Sequence, residues 1–430
     1  MKTQRAHDQI IKALQGEREK KTFIPGLSYI PPSGKVVGGE EIFNLIDVVT
    51  EQHYTEGVWV DRFEKALQSY FGLRCASMVN SGSSANLLAI SALMSPKMQY
   101  PLKPGDEVIT LACGFPTTLN PIIQNGLKPV FVDVELGTYV PRIENIKAAI
   151  NRNTRAIFMA HTLGNPLPMQ KIRDLVKGRP IYVIEDNCDA MGSYHHDYLT
   201  GTFGVISTLS FYPAHHITTG EGGAVLTNSP RIKKIIESYR DWGRDCWCNP
   251  GDENTCGKRF EWWTTYPELP NHYDHKYIYS HVGYNLKSTD FQAAIGLAQM
   301  DRLPDFIARR RENFLKLKSG LRELEEFLIL PESSPYSQPN WFGFPITIRK
   351  GTGFVRSQLA EHLEKRKIGF RFLFGGNLVK HPAYRDYDWN PHVPNSDYIA
   401  ESTLWVGVWP GLTDLMITYM IGEITDFFKR

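Results

Sequence analysis

Four of the six cysteines in the chain are spaced as metal ligands often are. Cys188, Cys246, Cys248 and Cys256 are separated by 57, 1 and 7 residues, so three of them lie in one short segment. Four thiolates are the usual ligand set of a [2Fe–2S] cluster, and four thiolates also form structural zinc sites. The pattern therefore predicts a metal centre and leaves iron–sulfur and zinc open.

Two adjacent histidines form a second group of reactive side chains. His215 and His216 follow Ser210 by five and six residues in a stretch that ends in a glycine-rich turn. Imidazole titrates near neutral pH, so either histidine can remove a proton from a bound molecule. No lysine occurs between Lys177 and Lys233, so this stretch contains no amine.

Two further segments have the character of binding elements. Residues 80–86, Asn-Ser-Gly-Ser-Ser-Ala-Asn, follow a predicted strand and open a predicted helix. The free N–H groups at such a helix start attract anions, although similar turns are common without that function. Asp186 ends a buried strand, where it either caps the next helix or protonates a pyridinium nitrogen.

The stretch 210–223 resembles the cofactor-lysine segment of the DegT/DnrJ/EryC/StrS sugar aminotransferase family, which has the aspartate aminotransferase fold (type I). In that family the lysine stands five residues after the serine of a Ser-Phe pair, and here that place holds His215. Segments 114–117, 283–286 and 290–294 also match family motifs. The resemblance extends from about residue 35 to the C-terminus.

This resemblance implies an α/β enzyme with a mostly parallel central sheet that uses pyridoxal or pyridoxamine 5′-phosphate. It implies that an aromatic ring stacks on the cofactor, that an aspartate holds the ring nitrogen, and that an asparagine reaches a phosphate across a homodimer interface. The implied cofactor-binding residues are Gly82, Ser83, Phe115, Asp186, Ser210 and Asn285.

The replacement of the lysine by a histidine implies the class of reaction. Without the amine, the protein cannot bond covalently to the cofactor, and ordinary transamination loses its proton carrier. A histidine in this place resembles the 3-dehydratases of deoxysugar pathways, in which pyridoxamine phosphate condenses with the C4 ketone of a nucleotide-linked sugar. His215 is then the base whose action expels the C3 hydroxyl. His216 is the rival base, and a structural histidine is the alternative.

The cysteine spacing resembles that of the cluster-bearing CDP-4-keto-6-deoxyglucose 3-dehydratases. That resemblance implies a [2Fe–2S] cluster on the four cysteines, a flavin/iron–sulfur NADH-dependent reductase as partner, and a route to the 3,6-dideoxysugars of lipopolysaccharide O-antigen. Cys188 is two residues from Asp186, so their Cα atoms are at most ~7 Å apart and the cluster would lie near the cofactor. The alternatives are a cluster-free GDP-4-keto-6-deoxymannose 3-dehydratase and a non-catalytic binder with structural zinc.

The composition is that of a globular protein without a nucleic-acid footprint. The chain has 430 residues, with 48 Lys+Arg against 46 Asp+Glu, a net charge of +2. No apolar run approaches the ~20 residues that span a bilayer, and the first residues lack a signal-peptide core, so a cytoplasmic enzyme is expected. In such a protein Cys75 and Cys113 are expected to be buried thiols.

Alternating β-rich and helical segments predict the elements that position these residues. Asp61 and Glu64 suggest a capping box for a helix over 62–71, and Asp290 an N-cap for a helix to 297. A long helix is expected from about 303, with Arg309–Arg311 on its solvated face. Expected strands cover 76–79, 107–110, 129–132, 156–160, 181–184, 208–212 and 224–226. Expected domains are an arm (1–34), a large domain (35–302) with an irregular excursion (241–283), and a small domain (303–430).

Overall fold

A computed structural model describes residues 22–246, 248, 253–261, 265–385, 387, 389 and 391–429. The helical part of the expected arm, residues 7–21, lies outside these residues. The extended part is described, and Ile30 in it forms a bridge to Ile368. Within the described ranges, no helix is both long enough and apolar enough to cross a membrane.

A seven-stranded sheet forms the centre of the molecule, in the order β1-β9-β8-β5-β4-β2-β3. Strand β9 runs antiparallel to both of its neighbours, and the pairs β8–β5, β5–β4, β4–β2 and β2–β3 are parallel. The expected mostly parallel α/β fold is thereby confirmed. The strands are β1 (Cys75–Val79), β2 (Glu107–Leu111), β3 (Lys128–Val132), β4 (Thr154–Ala160), β5 (Tyr182–Asp186), β8 (Ile206–Ser210) and β9 (Gly223–Thr227).

Helices cover this sheet and bury strands that are apolar along most of their length. Cys75 and Cys113 are buried free thiols, as expected. The helices are α1 (Gly39–Glu51), α2 (Val58–Phe71), α3 (Gly82–Leu93), α4 (Pro116–Gln124), α5 (Ile143–Ala149), α6 (Met169–Val176) and α7 (Pro230–Arg240).

The expected capping box at Asp61 and Glu64 is wrong. Helix α2 begins at Val58 after Gly57, so both acidic residues lie inside the helix. Glu64 is buried, and its carboxylate accepts a hydrogen bond from the Met78 amide of β1 (2.7 Å) and pairs with Lys233 (3.2 Å). Glu64 lies three residues after Asp61, the spacing of a capping box, but its carboxylate instead links the helix to strand β1.

One helix, α8 (Asp290–Gly320), replaces the two expected over this stretch. Thr289, not Asp290, is its N-cap, and the helix continues through Pro304 without a break. Arg310 corrects the expectation of a solvated basic face, because this residue is almost fully buried. A helix that crosses from one sheet to another needs buried residues on more than one face, which a simple amphipathic pattern does not indicate.

A four-stranded antiparallel sheet, in the order β10-β12-β14-β13, forms a second layer after α8. Helices α9 (Arg356–Lys365) and α11 (Asp414–Phe428) pack with it around a separate apolar cluster, whereas Ile399 of α10 (Pro394–Ser402) belongs to an apolar cluster of the large sheet. A small three-stranded sheet, β11-β6-β7, joins the two parts of the chain. The remaining strands are β6 (Tyr194–His195), β7 (Tyr198–Leu199), β10 (Leu328–Ile329), β11 (Ser337–Gln338), β12 (Gly343–Ile348), β13 (Phe370–Phe372) and β14 (Thr403–Gly407). The domain boundaries themselves stay a prediction.

The described part of the excursion, between α7 and α8, consists mainly of turns. Two isolated bridges close it, Asp241 to Asn285 and Arg244 to Tyr279. Asp245 ties it to the large sheet's helices, because Lys97 after α3 donates a 2.8 Å bond to this carboxylate. The excursion is therefore anchored at its base and along its side.

Candidate active site

The carboxyl ends of the strands bring the candidate cofactor residues to one edge of the large sheet. Asp186 ends β5 and is 4% exposed. Its Oδ2 accepts hydrogen bonds from Asn86 Nδ2 (2.9 Å) and Thr118 Oγ1 (2.6 Å), and Thr208 Oγ1 donates to Asn86 in turn (2.6 Å). These bonds fix the direction of the carboxylate, so Asp186 acts as more than a helix cap.

The N-terminus of α3 lies directly against the end of β8. Ser81 caps the helix, its side chain accepting a hydrogen bond from the Ser84 amide (3.1 Å). A Cβ atom on Gly82 would lie 2.5 Å from Ser210 Cβ and 3.1 Å from Cys188 Sγ. The chain can close here only because position 82 has no side chain. The exposed Ser83 adds a second amide with no partner inside the helix.

His215 lies in the loop after β8 and is mostly buried. Its Nδ1 is 3.4 Å from Asp189 Oδ1, without the geometry of a hydrogen bond. Burial lowers the pKa of His215 to about 4, while burial and the nearby Asp186 raise the pKa of Asp189 to about 8. An ion pair would move both values the other way. We therefore treat the imidazole as neutral at physiological pH, the form that can accept a proton.

His216 points away from this cluster. Its Nε2 is 2.8 Å from the backbone oxygen of Asn340, and since a carbonyl can only accept, Nε2 carries the proton. Burial places the pKa of His216 well below the usual value. Nε2 of His216 is thus hydrogen-bonded to the backbone, whereas among the described residues neither ring nitrogen of His215 makes a hydrogen bond to the backbone.

Arg310 lies behind His215, a contact that the sequence did not indicate. Its guanidinium donates hydrogen bonds to the backbone oxygens of His215 (3.1 Å), Phe342 (3.2 Å) and Trp341 (3.4 Å). Asn86 and Thr118 were also assigned no role from the sequence, although both lie in or beside segments singled out there. Arg310 offered no comparable signal, because it lies in a basic triplet.

Phe115 and Asn285 lie near the surface of the described chain. Phe115 precedes α4, is half exposed, and its ring makes an edge contact with that of Phe374. Asn285 is exposed, and its Oδ1 accepts a 3.0 Å hydrogen bond from Lys287. Their roles in stacking on a ring and in reaching a partner's phosphate stay predictions.

The four candidate ligand cysteines do not converge on one point in the described part of the chain. Cys188 lies beside Gly82 in the candidate pocket. Cys246 and Cys248 contact each other in the excursion, and the Cys256 Sγ lies 3.3 Å from His275 Nε2. Across the described ranges, no three His, Cys, Asp or Glu side chains are grouped closely enough to hold a metal ion. As arranged, these thiols do not fit a cluster.

The candidate pocket does fit pyridoxamine phosphate. It offers a fixed carboxylate at Asp186, a helix start that a Cβ on Gly82 would fill, and buried polar atoms without partners at His215 Nδ1 and Asp189 Oδ2. A pyridine ring needs the carboxylate, and a phosphate needs the free amides.

Comparisons with known proteins show that the chain is similar to sugar aminotransferases and sugar-nucleotide 3-dehydratases. The profile of the DegT/DnrJ/EryC1/StrS aminotransferase family matches residues 36–425. A dTDP-4-dehydro-2,6-dideoxy-D-glucose 3-dehydratase of Saccharopolyspora spinosa is 51% identical, over 99% of this chain and 93% of that protein. Lipopolysaccharide biosynthesis protein RfbH of Salmonella typhimurium is 50% identical, over 95% of this chain and 94% of that protein.

The solved structures that match include an Escherichia coli GDP-4-keto-6-deoxy-D-mannose-3-dehydratase with bound hydrated pyridoxal phosphate. It superposes with a TM-score of 0.81 at 31% identity, and the match covers 92% of this chain and 99% of that one.

Proposed function

The chain belongs to the DegT/DnrJ/EryC1/StrS aminotransferase family, and from that premise we propose that it is a pyridoxamine-phosphate-dependent 3-dehydratase. Its substrate class is a nucleotide-linked 4-keto-6-deoxyhexose, from which it removes the C3 hydroxyl. The observation that carries the proposal is His215, a neutral buried imidazole in the place where the family's motif has its lysine. The 3-dehydratases among its relatives support the same reaction class.

The residues of the pocket divide the binding of the cofactor among them. The Gly82 and Ser83 amides, with Ser210, bind the phosphate at the start of α3. Asp186 holds a proton at the ring nitrogen, and its bonds to Asn86 and Thr118 keep it directed there. Phe115 packs on the ring, and Asn285 reaches the phosphate of a second subunit in a homodimer.

When bound, pyridoxamine phosphate supplies an amine that condenses with the C4 ketone and a ring that accepts electrons. His215 would be the base that takes a proton from the carbon bearing this amine, and loss of that proton would allow the C3 hydroxyl to leave as hydroxide. Because Nδ1 faces Asp189, we assign Nε2 as the accepting atom. The carboxyl of Asp189 lies on the Nδ1 side, where one of its oxygens can accept a hydrogen bond from Nδ1 as positive charge develops on the imidazole.

The nucleotide is proposed to be CDP, on the resemblance of the cysteine spacing alone, and the product to lead to 3,6-dideoxysugars of lipopolysaccharide. The test is incubation with pyridoxamine phosphate and each of the CDP-, dTDP- and GDP-linked 4-keto-6-deoxyhexoses in H₂¹⁸O. We expect ¹⁸O to enter C3 of the CDP sugar fastest. If the dTDP or GDP sugar exchanges faster, that nucleotide replaces CDP in the proposal. If none of the three sugars exchanges oxygen at C3, the proposed reaction is rejected.

A [2Fe–2S] cluster on Cys188, Cys246, Cys248 and Cys256, reduced by a flavin/iron–sulfur NADH-dependent reductase, is a separate proposal. It is supported by the spacing and by the contact between Cys246 and Cys248. To form such a site, the excursion would have to bring its thiols to Cys188. Anaerobic purification followed by iron, sulfide and zinc analysis tests it, and two irons and two sulfides per chain are expected.

The separation of these thiols favours a second candidate, a cluster-free 3-dehydratase that recycles its cofactor with an amino donor such as glutamate. A protein without iron that still exchanges ¹⁸O at C3 supports this candidate. A zinc-containing protein that exchanges no oxygen indicates the non-catalytic binder instead.

A further inference from the structure

A buried arginine connects the loop of His215 to the second sheet. Arg310 is 1% exposed, and its guanidinium donates to three backbone oxygens, those of His215, Trp341 and Phe342. A fully buried guanidinium is costly, because its charge leaves water for a region of low dielectric. Three backbone oxygens at one guanidinium offset part of that cost and fix the positions of two chain segments.

The two segments that Arg310 joins both contact the imidazole. One contains His215 itself. The other contains Phe342, whose ring centroid lies 5.2 Å from that of His215. Arg310 thus holds the backbone of the base and the aromatic ring that packs against it, so the imidazole is positioned from two directions.

We propose that Arg310 is a positioning residue for the dehydration, which fixes the His215 loop through its carbonyl and keeps the imidazole in its neutral, proton-accepting form. This inference rests on the proposed function only in taking His215 as the base. Arg310 is assigned no contact with sugar or cofactor and acts through His215.

The charged groups around His215 support the second half of the proposal. Burial is the main cause of the lowered pKa of His215, Asp186 opposes it, and the charge of Arg310 adds to it. Asp189 lies against Nδ1 of His215, and both His216 and Lys35 line the small cavity that His215 borders. Burial lowers the pKa of Arg310 itself to about 10, so the guanidinium stays charged at neutral pH.

The sign of the expected effect follows from these contacts. His215 is neutral above its lowered pKa and becomes protonated, and inactive as a base, below it. Removal of the Arg310 charge moves the pKa of His215 up towards the ordinary value of 6.5. The acid limb of any reaction that needs neutral His215 should then move to higher pH.

The test uses Arg310→Met, which loses the charge and the hydrogen bonds, and Arg310→Lys, which keeps the charge but not the planar fork. Arg309→Met is the matched control, one residue away on α8, where the guanidinium is only partly buried and pairs with Glu312 and Asp414. Each full-length variant is titrated by NMR of its ¹³C-labelled histidines without substrate, with His215→Asn to assign the His215 signal. Solvent exchange of the methylene protons of pyridoxamine phosphate is then measured against pH.

We expect Arg310→Met to raise the pKa of His215, to shift the acid limb of exchange upward, and to slow exchange about 10–10²-fold at its optimum. Arg310→Lys should slow exchange without moving the acid limb of its pH profile, and Arg309→Met should match the unmutated protein in both respects. If the pKa of His215 is unchanged in Arg310→Met, the claim that Arg310 keeps the imidazole neutral is overturned. If Arg310→Lys exchanges the methylene protons at the rate of the unmutated protein, the claim that Arg310 positions His215 is overturned.

Should Arg310→Met fail to fold, Arg310→Gln removes the charge but keeps donors, and the same titration decides. Failure of the proposed function is distinguishable, because it appears as full exchange in His215→Asn, whatever the Arg310 variants do.

Discussion

At the scale of the residue, the exchange of an amine for an imidazole changes what the pocket can do with the same cofactor. A lysine amine bonds to the cofactor and also carries protons, whereas an imidazole can only carry them. His215 is kept neutral by burial, and its Nδ1 has no hydrogen-bond partner within the described structure. A base of this kind suits elimination from an amine that the cofactor itself provides.

Restoring the amine tests whether position 215 has the geometry of the family's lysine. His215→Lys with pyridoxal phosphate is expected to form a covalent bond to the cofactor, because the loop places that side chain in the pocket with Asp186. Borohydride reduction followed by peptide mass spectrometry locates the bond, and ¹⁸O exchange at C3 should fall at the same time. His216→Lys is the control and should remain unmodified, since position 216 faces the Asn340 carbonyl. Modification of that control alone would show that the two histidines have been assigned in the wrong order.

At the scale of the element, the start of α3 and the end of β8 approach so closely that they act as one unit. The contact at Gly82 leaves no room for a methyl group beside Ser210 and Cys188. Gly223 at the start of β9 is restricted in the same way by the backbone of Ser81 and Gly82. The proposed phosphate-binding end of the pocket is therefore fixed by backbone packing between elements that are far apart in sequence.

Gly82→Ala tests this contact. The added methyl must push α3 away from β8, and overpacking of this kind costs about 1–3 kcal/mol. We expect the affinity for pyridoxamine phosphate, measured by fluorescence titration, to fall roughly tenfold or more. Gly422→Ala in α11 is the control: nothing lies within 4 Å of the added atom, and alanine should stabilise that helix by about 0.5–1 kcal/mol. Equal cofactor affinity in the two variants would contradict the proposed phosphate site.

The sequence predicted the elements of the large sheet better than the helices that connect them. All seven expected strands are present within about two residues, because long apolar β-branched runs reflect burial on both faces. The start of helix α2 was predicted four residues too late, because Gly57 and Val58 show no capping signal in the sequence. A break between residues 297 and 303 was expected, yet α8 is continuous there and runs through Pro304.

The residues missed at the site all act through contacts with residues that are distant in the sequence. Asp186 could be predicted because a strand end and a carboxylate occur together in the sequence. Arg310 could not, because its partners are backbone oxygens at positions 215, 341 and 342, and backbone acceptors leave no residue-type signal. Asn86 and Thr118 bond to the Asp186 side chain, but they lie 100 and 68 residues from it in the chain, so the sequence did not indicate these contacts.

At the scale of the whole molecule, the chain separates a dehydration pocket from a cysteine-bearing excursion. Cys188 belongs to the pocket, while the other three candidate ligands lie in a segment attached through Asp245 and the bridge at Asn285. The apolar side chains at this surface include Val282, which is 95% exposed. The proposed elimination needs only the pocket, and the excursion takes part in the chemistry only if the separate cluster proposal holds.

Cys248→Ser separates the two halves of the chemistry. If the cluster proposal holds, the variant should lose iron, the visible absorbance and the reductase-dependent 3-deoxy product. It should keep ¹⁸O exchange at C3 within about twofold of the unmutated rate, since no thiol takes part in the base step. Cys75→Ala, in a buried thiol of β1, should change neither property. Full reductase-dependent product from Cys248→Ser would reject the cluster and leave the cluster-free dehydratase.

The central claim, that His215 is the base, is tested most directly by following the methylene protons of pyridoxamine phosphate in deuterated water. His215→Asn should bind the cofactor with unchanged affinity and exchange these protons roughly 10²–10⁴-fold more slowly than the unmutated protein. His216→Asn should exchange at close to the unmutated rate, because its imidazole is held by the Asn340 carbonyl. Full exchange in His215→Asn, together with loss in His216→Asn, would contradict the assignment of His215 as the base.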